Sequence, residues 1–108
     1  MPVPTLTTEQ RALARERSLE LRRTRADIKA WIGEAESAMR LALAWQFPAA
    51  QGMKVYDLLR AVPSLGHAKA TALLASARIN ERRTVKATGD RQRDRLFEAL
   101  IEKLHLDD

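Results

Sequence analysis

Apolar positions at Leu21, Ile28, Ile32, Ala35 and Met39 recur at intervals of seven, four, three and four residues. That spacing lines one side of an α-helix at about 100° per residue. The stretch from residue 8 to residue 45 contains no proline and is rich in Ala, Leu, Arg and Glu, so one long helix is predicted there, with Gly33 as its expected weak point. Pro2 and Pro4 are expected to hold the tip extended, and Thr7 or Thr8 to cap the helix, whose first turn carries Glu9. Pro48 and Gly52 bracket a loop, after which Met53 to Ala61 reads as a short helix with Val55, Leu58 and Leu59 facing inward. Pro63, Ser64, Leu65 and Gly66 make a tight turn. From it a helix is predicted through His67 to about Arg78, burying Ala70, Leu73 and Leu74. Gly89 suits a positive-φ turn and Asp90 a cap for a last helix through Leu104, with Leu96, Leu100, Leu104 and Phe97 inward. Period-two alternation and internal repeats are absent, so the fold class is all-α. A long N-terminal helix (residues 1–48, with its extended tip) precedes a compact helical domain (residues 49–108), the two forming one structural unit.

Charge sharpens this picture. On the helical wheel Arg11, Arg15, Arg22, Arg25 and Lys29 share one face of the long helix, whereas Glu9, Glu16, Glu20 and Asp27 gather on the far side. A row of cations this long suits a phosphate backbone, although charged helix faces are more often simply solvated. The 108 residues carry 19 Lys and Arg against 14 Asp and Glu, a net charge of +5 and a pI near 10.2, which favours polyanions: nucleic acid first, an anionic membrane surface second. There is no cysteine, which excludes disulfides, thiolate metal sites and thiol nucleophiles. The longest apolar stretch, Leu41 to Trp45, falls far short of the ~20 residues that span a bilayer. A soluble cytoplasmic protein with no membrane partner is expected.

Two constellations carry the candidate chemistry. In the turn Pro63, Ser64, Leu65, Gly66, the leucine can plug the core while the glycine lets a backbone approach. The free N–H groups of the new helix, with His67 and Lys69 in its first turn, then offer a site for a phosphate oxygen. The strip from Arg82 to Arg95 holds six cations, Arg82, Arg83, Lys86, Arg91, Arg93 and Arg95, against Asp90 and Asp94, and reads as a second phosphate clamp. One or two of its arginines, Arg91 and Arg95 first, are expected to pair with nearby acids. No set of Asn, Gln and Arg on one recognition helix suggests base reading, so sequence specificity should be weak.

Four segments, Leu6-Thr7-Thr8-Glu9-Gln10-Arg11, Gly52-Met53-Lys54-Val55, the turn from Pro63 to Ala70, and Gly89-Asp90-Arg91-Gln92-Arg93, occur in an order that resembles the actinobacterial integration host factor family. The match spans nearly the whole chain and is loosest between Trp31 and Gln51. The resemblance implies a helix-two-turn-helix domain related to a ribosomal small-subunit protein, preceded by a long helix. It also implies a nucleoid-associated protein that binds double-stranded DNA through the backbone, bends or compacts it, and assists phage integrases. It places contacts on Pro63, Leu65, Gly66, Lys69, Arg83 and Lys86, and on Arg11, Arg22 and Arg25. His67 and Thr84 stand where the family favours Lys and Arg, so a lower affinity that rises as the pH falls toward 6 is expected.

Catalysis is not expected. Met1-Pro2 could expose a proline amine, as in glycosylases with a similar helical module, yet position 3 is Val, and His67 and His105 stand on separate segments without a motif. No cofactor, metal site or catalytic residue is implied, and a monomer or weak self-associate is anticipated. The alternative reading is binding of structured RNA or the ribosome through the same turn. A protein adaptor docking through Trp31, Trp45 and Phe47 comes third, since core packing is the commoner role of such tryptophans. Tyr56 and Phe97 are likewise expected in the core, which argues against single-strand stacking.

Overall fold

Thr7 opens the first helix with a reciprocal cap: its Oγ1 accepts from the Gln10 N–H at 3.1 Å, and Gln10 Oε1 accepts from the Thr7 N–H at 2.9 Å. The computed structural model describes residues 7–106; the extended tip expected from Pro2 and Pro4, like Leu6, lies outside them. The described chain is all-α, as the periodicity predicts. Helix α1 spans Thr8–Glu34, α2 Ser37–Ala44, α3 Val55–Arg60, α4 His67–Ser76 and α5 Asp90–Leu106, with a short 3₁₀ turn at Pro48–Ala50.

The single long helix expected up to residue 45 is two helices, and Gly33 is not the break. Gly33 stays helical, and its missing Cβ, which would lie 3.3 Å from the Ala61 carbonyl oxygen, lets α1 pass close to the end of α3. The chain turns at Ala35 and Glu36, the latter in the left-handed region at φ 47°. The exposed carbonyls of α1 are then met from α2: the Ser37 hydroxyl donates to the Ile32 carbonyl at 2.6 Å, and Arg40 Nη1 donates to the Trp31 carbonyl at 2.6 Å. A polar residue with a stored capping partner ends the helix where propensity alone would continue it.

This turn splits the predicted apolar stripe. Ile28 and Ile32 are buried, but Ala35 is exposed, as are Leu21 and Met39, at 39% and 52%. The redirection at Glu36 takes Ala35 and Met39 off the line, and the first turns of α1 project past the core, where every residue from Thr7 to Thr24 is exposed.

Below that arm the core is wholly apolar. Ile28 and Ile32 meet Leu41, Trp45, Leu58, Leu59, Leu73 and Leu74, with Leu96 and Leu100 entering from α5, and no buried polar side chain among the described residues. Trp45 is buried edge-on against Phe97, ring centroids 5.5 Å apart, whereas Trp31, Tyr56 and Phe97 are only partly covered. Met53 and Lys54, expected to begin a helix, lie before it instead, Met53 in a bend and Lys54 extended, because the 51–55 segment pairs with the later loop. Val85 N–H donates to the Met53 carbonyl at 2.9 Å, Val55 N–H to Arg83 at 3.0 Å and Lys86 N–H to Gln51 at 3.1 Å, around one antiparallel bridge between Lys54 and Thr84.

Helix α4 ends at Ser76, short of Arg78. The Ile79 N–H donates to the Leu74 carbonyl at 2.9 Å and Arg78 N–H to Ala75 at 3.1 Å, with Arg78 at φ 57°. This is the two-bond pattern that usually ends on glycine. Gly89, by contrast, has no positive φ. Asp90 is the first residue of α5 and not its cap; the Gln92 side chain fills that role by accepting from the Gly89 N–H at 3.1 Å.

Candidate nucleic-acid interface

The turn before α4 closes through the Leu65 N–H donating to the Val62 carbonyl at 3.2 Å. Ser64, not Gly66, takes the positive φ, at 72°, which fits a type II turn with Pro63 leading. Leu65 drops into the core at 3% exposure, so this residue anchors the turn and presents only backbone outward. Gly66 is the N-cap of α4 with no side-chain cap, leaving the first N–H groups of the helix pointing out under the positive end of its dipole. A Cβ on Gly66 would meet nothing within 4 Å; the space above those N–H groups is open. Pro63 and Ser64 are exposed and line a separate cleft with α2 and the end of α5.

His67 is held at this opening from α3. The Tyr56 hydroxyl lies 2.8 Å from His67 Nδ1, and Arg60 Nη1 donates to the same hydroxyl at 3.0 Å. Lys69 is half-buried one turn in. Across a surface cleft formed with Thr71, the loop after α4 brings up Arg82, whose N–H is fixed by Asn80 Oδ1 at 2.8 Å. Arg83 bends its Nη1 onto the Ala87 carbonyl at 3.0 Å and is half-buried, whereas Arg82 and Lys86 are exposed.

The third element is α1. Arg11, Arg15, Arg22 and Lys29 are exposed on one row about 27 Å long at 1.5 Å per residue. Arg25 in the same row is partly structural: its Nε donates to the Ala49 carbonyl at 3.1 Å. Its Nη2 occupies the space a Cβ on Gly52 would need, at 2.7 Å. Arg22, Arg25 and Lys29 thereby share a groove of about 450 Å³ with Gly52, Lys54 and Asp57. Since the Lys54 backbone is bridged to Thr84, Lys54 joins the α1 row to the loop of Arg82, Arg83 and Lys86. Sequence reasoning missed Lys54 as a site residue, as it did Tyr56 and Arg60. Lys54 stood in a noted motif, but nothing short of the bridge shows what it connects.

The α5 end of the strip fits less well. Arg91 is exposed, whereas Arg93 is the arginine that pairs, with Asp94 at 3.2 Å and Asp90 at 3.6 Å. Arg91 and Arg95, expected to pair first, form no ion pair among the described residues. Asp90, three residues before Arg93, shares its face of the helix, and Asp94 is its neighbour along the chain.

Residues 42–100 match the S13-like H2TH domain family. The integration host factors of Mycolicibacterium smegmatis and Mycobacterium tuberculosis are each 36% identical to the chain over 100 residues, which is 91% of this chain and 95% of theirs. That of Streptomyces coelicolor is 31% identical over 94 residues, covering 85% and 88%. A solved structure of sIHF bound to an 8-bp palindromic DNA shares the fold, with a TM-score of 0.64 at 24% identity over 82% of this chain and 97% of that one. A helix N-terminus opened by an S13-like turn, set below a long basic helix and matched over nearly the full length of these relatives, places the chain in the integration host factor family.

Proposed function

We propose that the protein is a non-enzymatic, nucleoid-associated architectural factor of the cytoplasm that binds duplex DNA through its phosphate backbone with little sequence specificity. The observation that carries this reading is the uncapped N-terminus of α4 at Gly66, open above its N–H groups. Cations on the loop bridged to Lys54 and on the α1 row extend the same surface. The relatives' name and the DNA in the sIHF structure support it. In this reading a phosphate sits on the N–H groups after Gly66, flanked by Pro63, Ser64, His67 and Lys69. Arg82, Arg83, Lys86 and Arg91 grip a neighbouring stretch, and Arg11, Arg15, Arg22, Arg25, Lys29 and Lys54 a third. Arg93, already paired, and Leu65, buried, serve the framework. Contacts on these three elements hold the duplex bent or compacted, and the protein works as a monomer that assists phage integration.

Fluorescence anisotropy of a ~25-bp duplex over a salt series, with two unrelated sequences, tests this. Backbone binding gives a slope of log affinity against log salt of about 0.9 per phosphate contact, nearly equal for both sequences. Loss of Arg22, Lys29 and Lys54 together lowers the slope. Absence of binding at low salt, or displacement of the duplex by structured RNA at equal concentration, overturns the proposal.

A further inference from the structure

We infer that the groove between α1 and the start of α3 binds a free ribonucleoside 5′-triphosphate, which competes there with the duplex. The site stands on its own geometry, and only the competition rests on the DNA reading above. Helix α1 supplies Arg22, Arg25 and Lys29, the 52–54 segment supplies Gly52 and Lys54, and α3 supplies Asp57, around a cleft of about 450 Å³. That volume lies within the range of small-molecule sites, about 300–1,000 Å³.

Its cations are gathered without an acid to balance them. Arg22, Arg25 and Lys29 stand three and four residues apart on about 10 Å of helix axis, a spacing at which like charges repel. Neither they nor Lys54 form an ion pair among the described residues. Arg25 is also preset. Its Nε donates to the Ala49 carbonyl at 3.1 Å, which leaves the Nη groups for a ligand and lays Nη2 across Gly52, 2.7 Å from where a Cβ would stand. A guanidinium held in this way meets a phosphate without the full ordering cost of a free side chain. Gly52 itself is exposed, and its N–H donates to no acceptor among the described residues. The phosphates of a triphosphate adjoin one another, whereas each strand of a duplex offers one per nucleotide, so the triphosphate is the better match to cations this closely set.

Asp57 selects the rest of the ligand. It is exposed and lines the same groove as the four cations, yet it forms no ion pair among the described residues. A carboxylate only accepts hydrogen bonds. It therefore repels a bare phosphate chain, but takes up the 2′- and 3′-hydroxyls of a ribose. Deoxyribose lacks the first of these, and within a nucleic-acid strand the second is esterified. No aromatic side chain lines the groove, so a base finds no stacking partner and its identity matters little. The arrangement fits a ligand that is anionic at one end and a diol at the other. Since Arg22, Lys29 and Lys54 also serve the third DNA contact, nucleotide and duplex exclude each other there.

The test is a titration of the full-length ¹⁵N-labelled chain, without DNA and at fixed ionic strength, with ATP, dATP and inorganic tripolyphosphate. The expected result is saturable shifts at Ala26, Lys29, Gly52, Lys54 and Asp57 with ATP, roughly tenfold weaker binding of dATP, and weaker binding still of tripolyphosphate. Asp57→Asn should bring ATP down to the level of dATP without weakening tripolyphosphate, a split that a purely structural role in α3 would not produce. Arg22→Gln/Lys29→Gln should remove the ATP shifts with an unchanged thermal melt. In anisotropy, ATP should then weaken duplex binding by the wild-type chain more than dATP does at the same concentration. Equal binding of ATP and dATP, shifts confined to α4 or α5, or a groove saturated with ATP at unchanged duplex affinity would overturn the inference. The titration contains no DNA, so a failure of duplex binding leaves the nucleotide result readable.

Discussion

The Tyr56 hydroxyl sits between His67 Nδ1 at 2.8 Å and Arg60 Nη1 at 3.0 Å, tying α3 to the first residue of α4. A guanidinium only donates, so the phenol oxygen accepts from Arg60 while it shares a second hydrogen bond with the ring nitrogen of His67. The rings meet edge to face, 5.8 Å apart at 69°. This fixes the imidazole orientation beside the open N–H groups, with Nε2 left for a ligand. Tyr56→Phe keeps the ring packing and removes the clamp. Loss of one such bond, roughly 1 kcal/mol, is expected to weaken duplex binding about fivefold with little change in melting temperature. A parallel drop in stability and affinity would mean that the pair serves folding alone.

Gly66→Ala separates the interface from the fold. The backbone at φ −80° accepts any residue, and the added methyl meets no protein atom within 4 Å. Stability should fall by less than about 1 kcal/mol, the ordinary difference between Gly and Ala at an N-cap. The methyl would stand where a phosphate approaches, so anisotropy should show affinity falling by about tenfold. An unchanged affinity would remove the α4 N-terminus from the contact surface.

At Gly52 the expectation is reversed. A methyl there collides with Arg25 Nη2 at 2.7 Å, and the flexible guanidinium gives way, breaking its bond to the Ala49 carbonyl. Gly52→Ala is expected to fold, to lose roughly 1 kcal/mol, and to raise amide exchange in α1 near residue 25. Arg25→Lys, which cannot reproduce the guanidinium geometry, should give a similar loss; two wild-type-like melts would show that the latch contributes nothing.

Arg78 ends α4 in a left-handed conformation at φ 57° that costs an L-residue ~1–2 kcal/mol, while a glycine there would cost ~0.5–1 kcal/mol in the unfolded chain. Arg78→Gly should therefore raise stability by roughly 0.5–1 kcal/mol net, read as a higher midpoint in urea with an unchanged slope. A lower midpoint would show that the arginine side chain contributes more than its backbone costs.

The all-α class, the number of helices after Pro48, and the buried faces of α3, α4 and α5 were legible along the chain, because apolar periodicity and Pro or Gly punctuation are local signals that packing did not override. Val55, Leu58, Leu59, Leu73, Leu74, Leu96 and Leu100 all point where their spacing says. The cationic row of α1 was legible too, since helical geometry alone sorts those charges. Features that depend on distant partners emerged only on folding. The break at Glu36 needs Ser37 and Arg40 to take over the carbonyls of α1. The non-helical course of Met53 and Lys54 needs the strand-like pairing with Thr84 and Val85. Left-handed backbone fell to Ser64 and Arg78 and spared Gly89, because buried contacts on either side, Leu65 and Ile79, hold those chains in place against local preference. The same rule divides the candidate site. Its charges were legible one by one, but the hydroxyl that orients His67, the lysine that joins two clamps and the acid pair that takes Arg93 out of play became visible only when residues far apart in the chain, or a turn apart on a helix, were brought within hydrogen-bonding distance.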